Sequence, residues 1–204
     1  MEYVILSILA IIVIFFAVVL IRALCFKPYE MPVVNADPVE FDKEQAVENL
    51  RELIRCKTIS SRNKELEDDK EFDKLLNLLP TLYPNIYPNL EVRTFKSRGI
   101  LLRWKGKTMG KPAVMMSHFD VVPVSEDGWS VPPFEAVIKD GCLWGRGACD
   151  TKITLNGAMT AADNLVKQGF VPENDVYFAF SGGEEINGSF VKEAVEYFAE
   201  INIE

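Results

Sequence analysis

The sequence predicts an α/β domain with a mixed, largely parallel sheet between helices, preceded by one N-terminal transmembrane helix. Three observations predict it. Stretches with helical periodicity alternate with short apolar runs, which is the pattern of a sheet covered by helices. The 204 residues are 49% hydrophobic and 25% charged, which suffices for a buried core. The N-terminus carries a long, uncharged, apolar run.

This apolar run covers residues 4–21, with Ser7 as its single polar residue and no charge. Counted from residue 3, a helix over the run is about 28 Å long, close to the hydrocarbon thickness of a bilayer. A cleavable signal peptide is the alternative, but its start is usually basic, and here the second residue is Glu2. We therefore expect residues 1–25 to be a retained, single-pass membrane anchor.

Residues 26–40 contain three prolines and no periodicity, which predicts a linker between the anchor and a domain over residues 41–204. The side of the membrane on which that domain lies stays open. Arg22 and Lys27 follow the span, and basic residues beside a span favour the cytosolic side.

Four helices and four strands are predicted within residues 41–204. Asp42 can cap the first helix, Pro80 is expected to end the second, Gly169 to end the third, and Ser189 can cap the fourth. The strand before Ser117 is continuously apolar, so we expect it to be covered on both faces. The predicted strands are 90–95, 100–104, 113–117 and 176–181, and helical periodicity covers 47–54, 72–79, 155–166 and 191–198.

Three acidic clusters carry the chemistry of the chain. His118, the single histidine of the sequence, directly follows a predicted strand and precedes Asp120 by two residues. Asp150 follows a glycine-rich turn at the start of a helix, and Glu184 and Glu185 follow the last predicted strand. Because functional sites of α/β sheets assemble at strand ends, we expect these side chains to lie close together.

Imidazole and carboxylate groups together suit a borderline divalent metal such as zinc. If the chain stays extended, His118 and Asp120 point to one side, and Asp120 can then orient the imidazole ring. Each cluster by itself also has an ordinary structural interpretation. His118 can be a buried core histidine, Asp150 a helix cap, and Glu184 with Glu185 a solvated acidic pair.

The bulk composition argues against a nucleic-acid partner. The formal net charge is -8, whereas nucleic acids attract surfaces rich in lysine and arginine. The four cysteines include no Cys-x-x-Cys pair, so the sequence contains no zinc-ribbon or thioredoxin-like motif.

Four stretches stand in a specific order and spacing. They are residues 117–124 (SHFDVVPV), 129–134 (WSVPPF), 145–147 (GRG) with Asp150 and Lys152, and 184–188 (EEING). Together they resemble the co-catalytic zinc carboxypeptidase and aminoacylase family over about residues 40–204. Its members include glutamate carboxypeptidase, acetylornithine deacetylase, succinyl-diaminopimelate desuccinylase and aminoacylase, and the nearest type is the membrane-anchored carboxypeptidase S.

The resemblance implies a role for each acidic cluster. His118 would bind one zinc ion, Asp150 would bridge two, and Glu185 would bind the second, which makes two zinc ions per complete site. Glu184 would be the general base, and Asp120 would orient His118. The resemblance also implies a cis peptide bond after Asp150.

The implied activity is metal-assisted hydrolysis of amide bonds in peptides with a free carboxylate or in N-acyl amino acids. An aminopeptidase or dipeptidase of the same family is the alternative. An alternative of another class is a non-catalytic, membrane-tethered fragment or interaction module. The family's lid domain implies a homodimer for the full-length form, and its anchored members imply an exoplasmic or lumenal domain, against the charge pattern.

The sequence departs from the family's pattern at two points. The family usually has an aspartate before the two glutamates, where this chain has Gly183. The family also needs a further carboxylate ligand and a distant histidine, whereas His118 is the single histidine here. We therefore expect the N-terminal part of such an enzyme, which by itself binds zinc weakly and hydrolyses little.

Overall fold

The computed structural model describes residues 1–28, 40–125 and 127–203. The chain falls into two units, Met1–Glu40 and Phe41–Glu204. The first unit contains helix α1, Glu2–Leu24, which has no buried residue. This helix is long and apolar enough to cross a membrane. A signal sequence is equally long and apolar, so the membrane anchor stays a prediction. Residues 29–39 of the predicted linker lie outside the described residues.

The described part of the second unit alternates helices with short strands, as the sequence predicts. Its helices are α2 (Lys43–Ile54), α3 (Asp69–Leu82), α4 (Lys152–Lys167) and α5 (Phe190–Glu200), and its 3₁₀ turns are Lys64–Leu66 and Glu184–Ile186. Its strands are β1 (Glu91–Thr94), β2 (Ile100–Trp104), β3 (Ala113–His118), β4 (Val137–Lys139), β5 (Cys142–Trp144) and β6 (Val176–Ser181).

The main sheet is mixed and has the strand order β1-β2-β6-β3, which confirms the predicted fold class. β3 and β6 run parallel, whereas the β1–β2 and β2–β6 pairs are antiparallel. The described sheet is thus less parallel than the sequence predicts, because a short turn joins β1 to β2 and permits only an antiparallel pair. The β4–β5 hairpin was not predicted, since three-residue strands are too short to show a periodic pattern.

Helices cover both faces of this sheet at β6. Phe178 and Phe180 of β6 belong to the larger core cluster, with Leu75 of α3 and Leu155 of α4. The alternate residue Tyr177 belongs to a second cluster, in which α5 contributes buried side chains. Successive residues of a strand point to opposite faces, so β6 serves both clusters. Burial of each such side chain contributes about 1.5–3 kcal/mol.

The prediction that the strand before Ser117 is covered on both faces is wrong. Val114, Met115 and Met116 of β3 are 42%, 51% and 57% exposed. Among the described strands, β3 stands at the edge of the sheet and pairs with β6 alone. The apolar run is typical of an internal strand, but the position of a strand in a sheet is decided by the topology.

The predicted signals at helix ends hold at two positions and differ at a third. Asp42 caps α2, because its carboxylate accepts the N–H of Gln45 at 2.9 Å. Gly169 follows the end of α4 with φ of +74°, a conformation that favours glycine. Ser189 precedes α5 but does not cap it, since its hydroxyl donates to Oε1 of Glu193 at 2.7 Å.

The prediction that Pro80 ends the second helix is also wrong. Helix α3 continues through Pro80 to Leu82. A proline removes one N–H donor, but the N–H of Tyr83 still donates to the carbonyl of Leu79 at 2.9 Å and closes the last turn.

Glu67 is the centre of an ion-pair cluster beside α3. Its side chain is 4% exposed, and its carboxylate accepts the Ser61 N–H at 2.9 Å, Lys64 Nζ at 2.9 Å and Arg98 Nη2 at 2.8 Å. Burial by itself would raise the pKa of this carboxyl. The hydrogen bonds from Ser61, Lys64 and Arg98 outweigh burial and lower the pKa of Glu67 to about 2.

This lowered pKa predicts a pH-dependent stability. Glu67→Gln is expected to cost about 2–3 kcal/mol at pH 7, since one pKa unit corresponds to about 1.4 kcal/mol. The contribution of Glu67 is complete above about pH 4.5 and is lost as the pH falls towards about 2. Urea unfolding measures the free energy of unfolding of wild type and variant. The difference between them should shrink from pH 7 to pH 3. Glu65→Gln is the control in the same turn, and a gap independent of pH would contradict the prediction.

Candidate metal centre

The register of two strands brings the first and third acidic clusters to one edge of the sheet. β3 and β6 are parallel, and His118 lies opposite Ser181. Both strands end here, so the 3₁₀ turn that carries Glu184 and Glu185 begins directly beside the imidazole of His118. Parallel strands place their carboxyl ends at the same edge, which is where α/β folds assemble their sites.

His118 is 8% exposed and has a different partner at each ring nitrogen. Nδ1 lies 3.1 Å from the carbonyl oxygen of Asp120 and 3.4 Å from its carboxylate Oδ1. Nε2 lies 3.1 Å from Oδ1 of Asp150 and 3.7 Å from Oε2 of Glu184. The side-chain contact with Asp120 raises the pKa of His118 to about 9, although burial opposes this. In its neutral form the ring keeps its proton on Nδ1, between the acceptors of Asp120, and presents the Nε2 lone pair.

Asp120 is fully buried, and its carboxylate holds the glutamate turn. Oδ1 accepts the backbone N–H of Glu184, and Oδ2 accepts that of Glu185, both at 3.1 Å. The sequence suggested only that Asp120 orients His118. In the structure, one carboxylate is shared between the imidazole and the turn that carries both glutamates.

Asp150 comes from the loop before α4, and its side chain is 78% exposed. The Asp150–Thr151 peptide bond is cis, as the resemblance implied. Two residues further on, the side chain of Lys152 turns into the core and is fully buried. Its Nζ donates to the carbonyls of Leu53 at 2.9 Å and Cys56 at 2.7 Å, and burial lowers the pKa of Lys152 to about 7.

The three predicted ligands form a compact donor group. One ligand atom each from His118, Asp150 and Glu185 lies within 4.8 Å of the other two. Burial and the nearby charge of Asp150 raise the pKa of Glu185, so the carboxylates repel each other and a cation would relieve that repulsion. One imidazole nitrogen with carboxylate oxygens fits a divalent transition metal such as zinc.

Glu184 lies beside this donor group rather than in it. Its side chain is 58% exposed, and its Oε2 lies 3.7 Å from the same Nε2 of His118. The five residues singled out in the sequence therefore converge at one point, from three segments that are far apart in the chain.

The residues that support this site were not predicted from the sequence. Lys152 was noted as part of a motif, but its burial was not predicted, because lysine is rarely buried. Thr58 and Ser60 are 0% and 1% exposed and bond to the backbone of the site loops. No periodic pattern in the sequence marks Thr58 and Ser60. The one signal that could have identified them is the short polar run directly after the apolar end of the predicted helix.

The fold and the site together define a class of protein. It is an α/β domain in which a histidine and several carboxylates meet at the ends of two parallel strands, as in metal-dependent hydrolases. Residues 114–204 match peptidase family M20/M25/M40. The match confirms the resemblance that the sequence motifs indicated.

Two curated relatives show the extent of the likeness. The chain is 35% identical over 102 residues to a probable carboxypeptidase S-like 2 of Dictyostelium discoideum, covering 49% of this chain and 20% of the relative. It is 35% identical over 79 residues to the human N-fatty-acyl-amino acid synthase/hydrolase PM20D1, covering 39% of this chain and 16% of that protein. The chain therefore spans a fifth or less of the length of these relatives.

Two solved structures show the same fold. The M20 family metallo-carboxypeptidase Sso-CP2 from Sulfolobus solfataricus superposes with a TM-score of 0.63 at 22% identity, over 80% of this chain and 36% of that one. Human carnosine dipeptidase 1 superposes with a TM-score of 0.64 at 20% identity, over 76% of this chain and 35% of that one. At these identities the likeness establishes the fold alone.

Proposed function

We propose that this chain supplies the N-terminal part of a metal-dependent hydrolase that cleaves amide bonds in peptides or N-acyl amino acids. One observation carries the proposal. The buried carboxylate of Asp120 accepts the N–H groups of Glu184 and Glu185 and contacts His118. A single fixed group thus sets a base and two ligands around one point, which is the preorganisation that catalysis needs.

His118, Asp150 and Glu185 would hold the metal, and their nitrogen and oxygen donors favour zinc. Asp150 is exposed enough to serve a second ion, so two zinc ions per complete site are part of the proposal. Bound zinc supplies polarisation of the scissile carbonyl and lowers the pKa of a bound water.

Glu184 is the proposed general base. Its carboxylate lies next to the ligand group but is not needed to complete it, so its oxygen is free to take a proton from water. The same carboxylate would then donate that proton to the leaving amine. During these proton transfers, Asp120 would hold the Glu184 turn and the imidazole of His118 in fixed positions relative to each other.

The substrate class rests on what the relatives are called. The relative in humans is named for N-fatty-acyl amino acids, and the relative in Dictyostelium discoideum is named as carboxypeptidase S-like. Both names describe an amide bond next to an amino acid carboxylate.

Attachment to a membrane through α1 is part of the proposal too. Protease protection in intact cells would test it and determine the side of the membrane on which the domain lies.

Zinc titration by calorimetry of the full chain in detergent micelles tests the ligand assignment. Glu185→Gln is expected to weaken zinc binding at least about tenfold, because it removes a charged ligand. Glu184→Gln should leave zinc affinity within about threefold but lower the hydrolysis of an N-acyl amino acid by about 10²-fold. Glu44→Gln, at the exposed start of α2, is the matched control.

The outcomes separate the alternatives. Zinc binding that is unchanged in Glu185→Gln would overturn the ligand assignment. Little hydrolysis is expected of this part alone, so the base assignment is read from the ratio of the two rates. A residual rate that Glu184→Gln leaves unchanged, together with zinc binding that depends on Glu185, would overturn the base assignment and support a non-catalytic, membrane-tethered fragment. Cleavage of unblocked dipeptides in preference to N-acyl amino acids would support the dipeptidase or aminopeptidase alternative.

A further inference from the structure

Residues 53–60 contact all three segments that carry the candidate metal centre. They comprise the end of α2 and the short extended stretch after it, and they lie outside the residues that match the family. Within this stretch, Cys56, Thr58 and Ser60 are at most 1% exposed, although two of them carry hydroxyl groups. Buried hydroxyls need partners, so the destination of their hydrogen bonds is informative.

The first contact is with the segment of His118 and Asp120. The N–H of Val121 donates to the carbonyl of Thr58, and the N–H of Ser60 donates to the carbonyl of Val121, both at 2.9 Å. The hydroxyl of Thr58 donates to the carbonyl of Phe119. These bonds lie on both sides of Asp120 and fix its backbone, which leaves the carboxylate little freedom to turn away from the glutamate turn.

The second contact is with the glutamate turn itself. The hydroxyl of Ser60 donates to the carbonyl of Gly182 at 3.3 Å, two residues before Glu184. Ser60 thus bonds to the Asp120 segment through its backbone and to the Glu184 segment through its side chain. One residue therefore sets the spacing between the two.

The third contact is with the Asp150 segment. The buried ammonium of Lys152 donates to the carbonyls of Leu53 and Cys56 at the end of α2. Each of these carbonyls also accepts a backbone N–H, that of Leu53 from Cys56 at 3.2 Å and that of Cys56 from Thr58 at 2.9 Å. Carbonyls at a helix C-terminus carry partial negative charge, which suits a cation. The bonds tie the start of α4, two residues after Asp150, to the same stretch.

We propose that residues 53–60 are a positioning element that aligns the three segments of the metal centre, with Thr58 and Ser60 as its key positioning residues. The inference rests on the proposed metal centre. Ligands from three separate segments must be held within about 0.5 Å of their working positions, and a shared support achieves this. Among the described residues, the buried hydroxyls of Ser97 and Thr160 have no hydrogen-bond partner, so burial of a hydroxyl in this domain does not by itself bring the bonds that Thr58 and Ser60 make.

Those two hydroxyls provide matched controls for the test. Thr58→Val and Ser60→Ala remove a hydroxyl from the positioning element, and Thr160→Val and Ser97→Ala make the same changes elsewhere. We expect the first two variants to weaken zinc binding of the full chain by about tenfold each, as loss of a ligand-orienting group does. The controls should stay within about threefold. Thr58→Ser keeps the hydroxyl and should restore the affinity.

Amide hydrogen exchange of the zinc-free protein is the second measurement. Peptides covering residues 118–121 and 182–186 should exchange about tenfold faster in Thr58→Val and Ser60→Ala, and at the wild-type rate in both controls. If affinity and local exchange in these variants match the controls while only global stability falls, the residues merely pack, and the proposal is overturned. If the wild type binds no zinc but exchange responds as expected, the proposed metal centre fails and the positioning element stands.

Discussion

Asp120→Asn is expected to weaken zinc binding by about 10–100-fold and to lower the free energy of unfolding by about 2–4 kcal/mol. The two oxygens of Asp120 each accept one backbone N–H, from Glu184 and from Glu185. An asparagine side chain has one oxygen, so its NH₂ group would face the remaining N–H, and two donors would meet in a buried place. The glutamate turn would then shift away from His118. Calorimetry measures the affinity, and urea unfolding measures the stability.

Asp163→Asn is the matched control for this substitution. The carboxylate of Asp163 also accepts two donors, the backbone N–H and the side-chain Nδ2 of Asn85, both at 2.8 Å. It should lose stability without losing zinc affinity, because it lies away from the metal centre. Wild-type zinc affinity in Asp120→Asn would contradict the role of Asp120 as the holder of the turn.

Gly182→Ala is expected to lower the free energy of unfolding by about 2–3 kcal/mol and to weaken zinc binding as well. A Cβ at this position would lie 2.6 Å from the carbonyl oxygen of Arg98 and 2.7 Å from the ring of Phe119. A backbone oxygen on one side and a fully buried ring on the other cannot give way easily. The chain at residue 182 must therefore move, and it leads directly into the turn of Glu184 and Glu185.

Gly157→Ala is expected to have the opposite effect on stability. Gly157 lies inside helix α4, and a Cβ there would meet no atom within 4 Å. Alanine favours a helix over glycine by about 0.5–1 kcal/mol, so this variant should be more stable than the wild type, with unchanged zinc affinity. Chemical unfolding should show a lower free energy of unfolding for Gly182→Ala and a higher one for Gly157→Ala. An unchanged free energy of unfolding in Gly182→Ala would contradict the prediction, because the close packing at residue 182 would then relax without cost.

Local patterns predicted most of the elements. The strands Ile100–Trp104 and Val176–Ser181 have the bounds that the sequence predicts, and Asp42 caps its helix as expected. Such patterns succeed because the propensity and the periodicity of a segment depend on residues within a few positions of each other. They failed at Pro80 and at the β4–β5 hairpin, where the tertiary surroundings or the short length of the strands outweigh the local signal.

The candidate site was reached by a different kind of information. His118, Asp120, Asp150, Glu184 and Glu185 were singled out by residue type, by their place after strands and by motifs that resemble a family. Their convergence in space agrees with that selection, while their roles stay predictions. Nothing in the sequence pattern could show that Asp120 holds the glutamate turn, because that contact joins residues 64 and 65 positions apart.

The sequence by itself determined the alternation of helices and strands, the apolar N-terminal helix and the chemical identity of the donors around His118. The tertiary structure alone decided that β3 is the edge strand among the described strands of the sheet. It also decided that Lys152 is buried under the end of α2 and that Thr58 and Ser60 support the site. The physical reason is the range of the interactions. Periodicity and capping act between neighbours in the chain, whereas strand order and buried hydrogen bonds join residues that only the folded chain brings together.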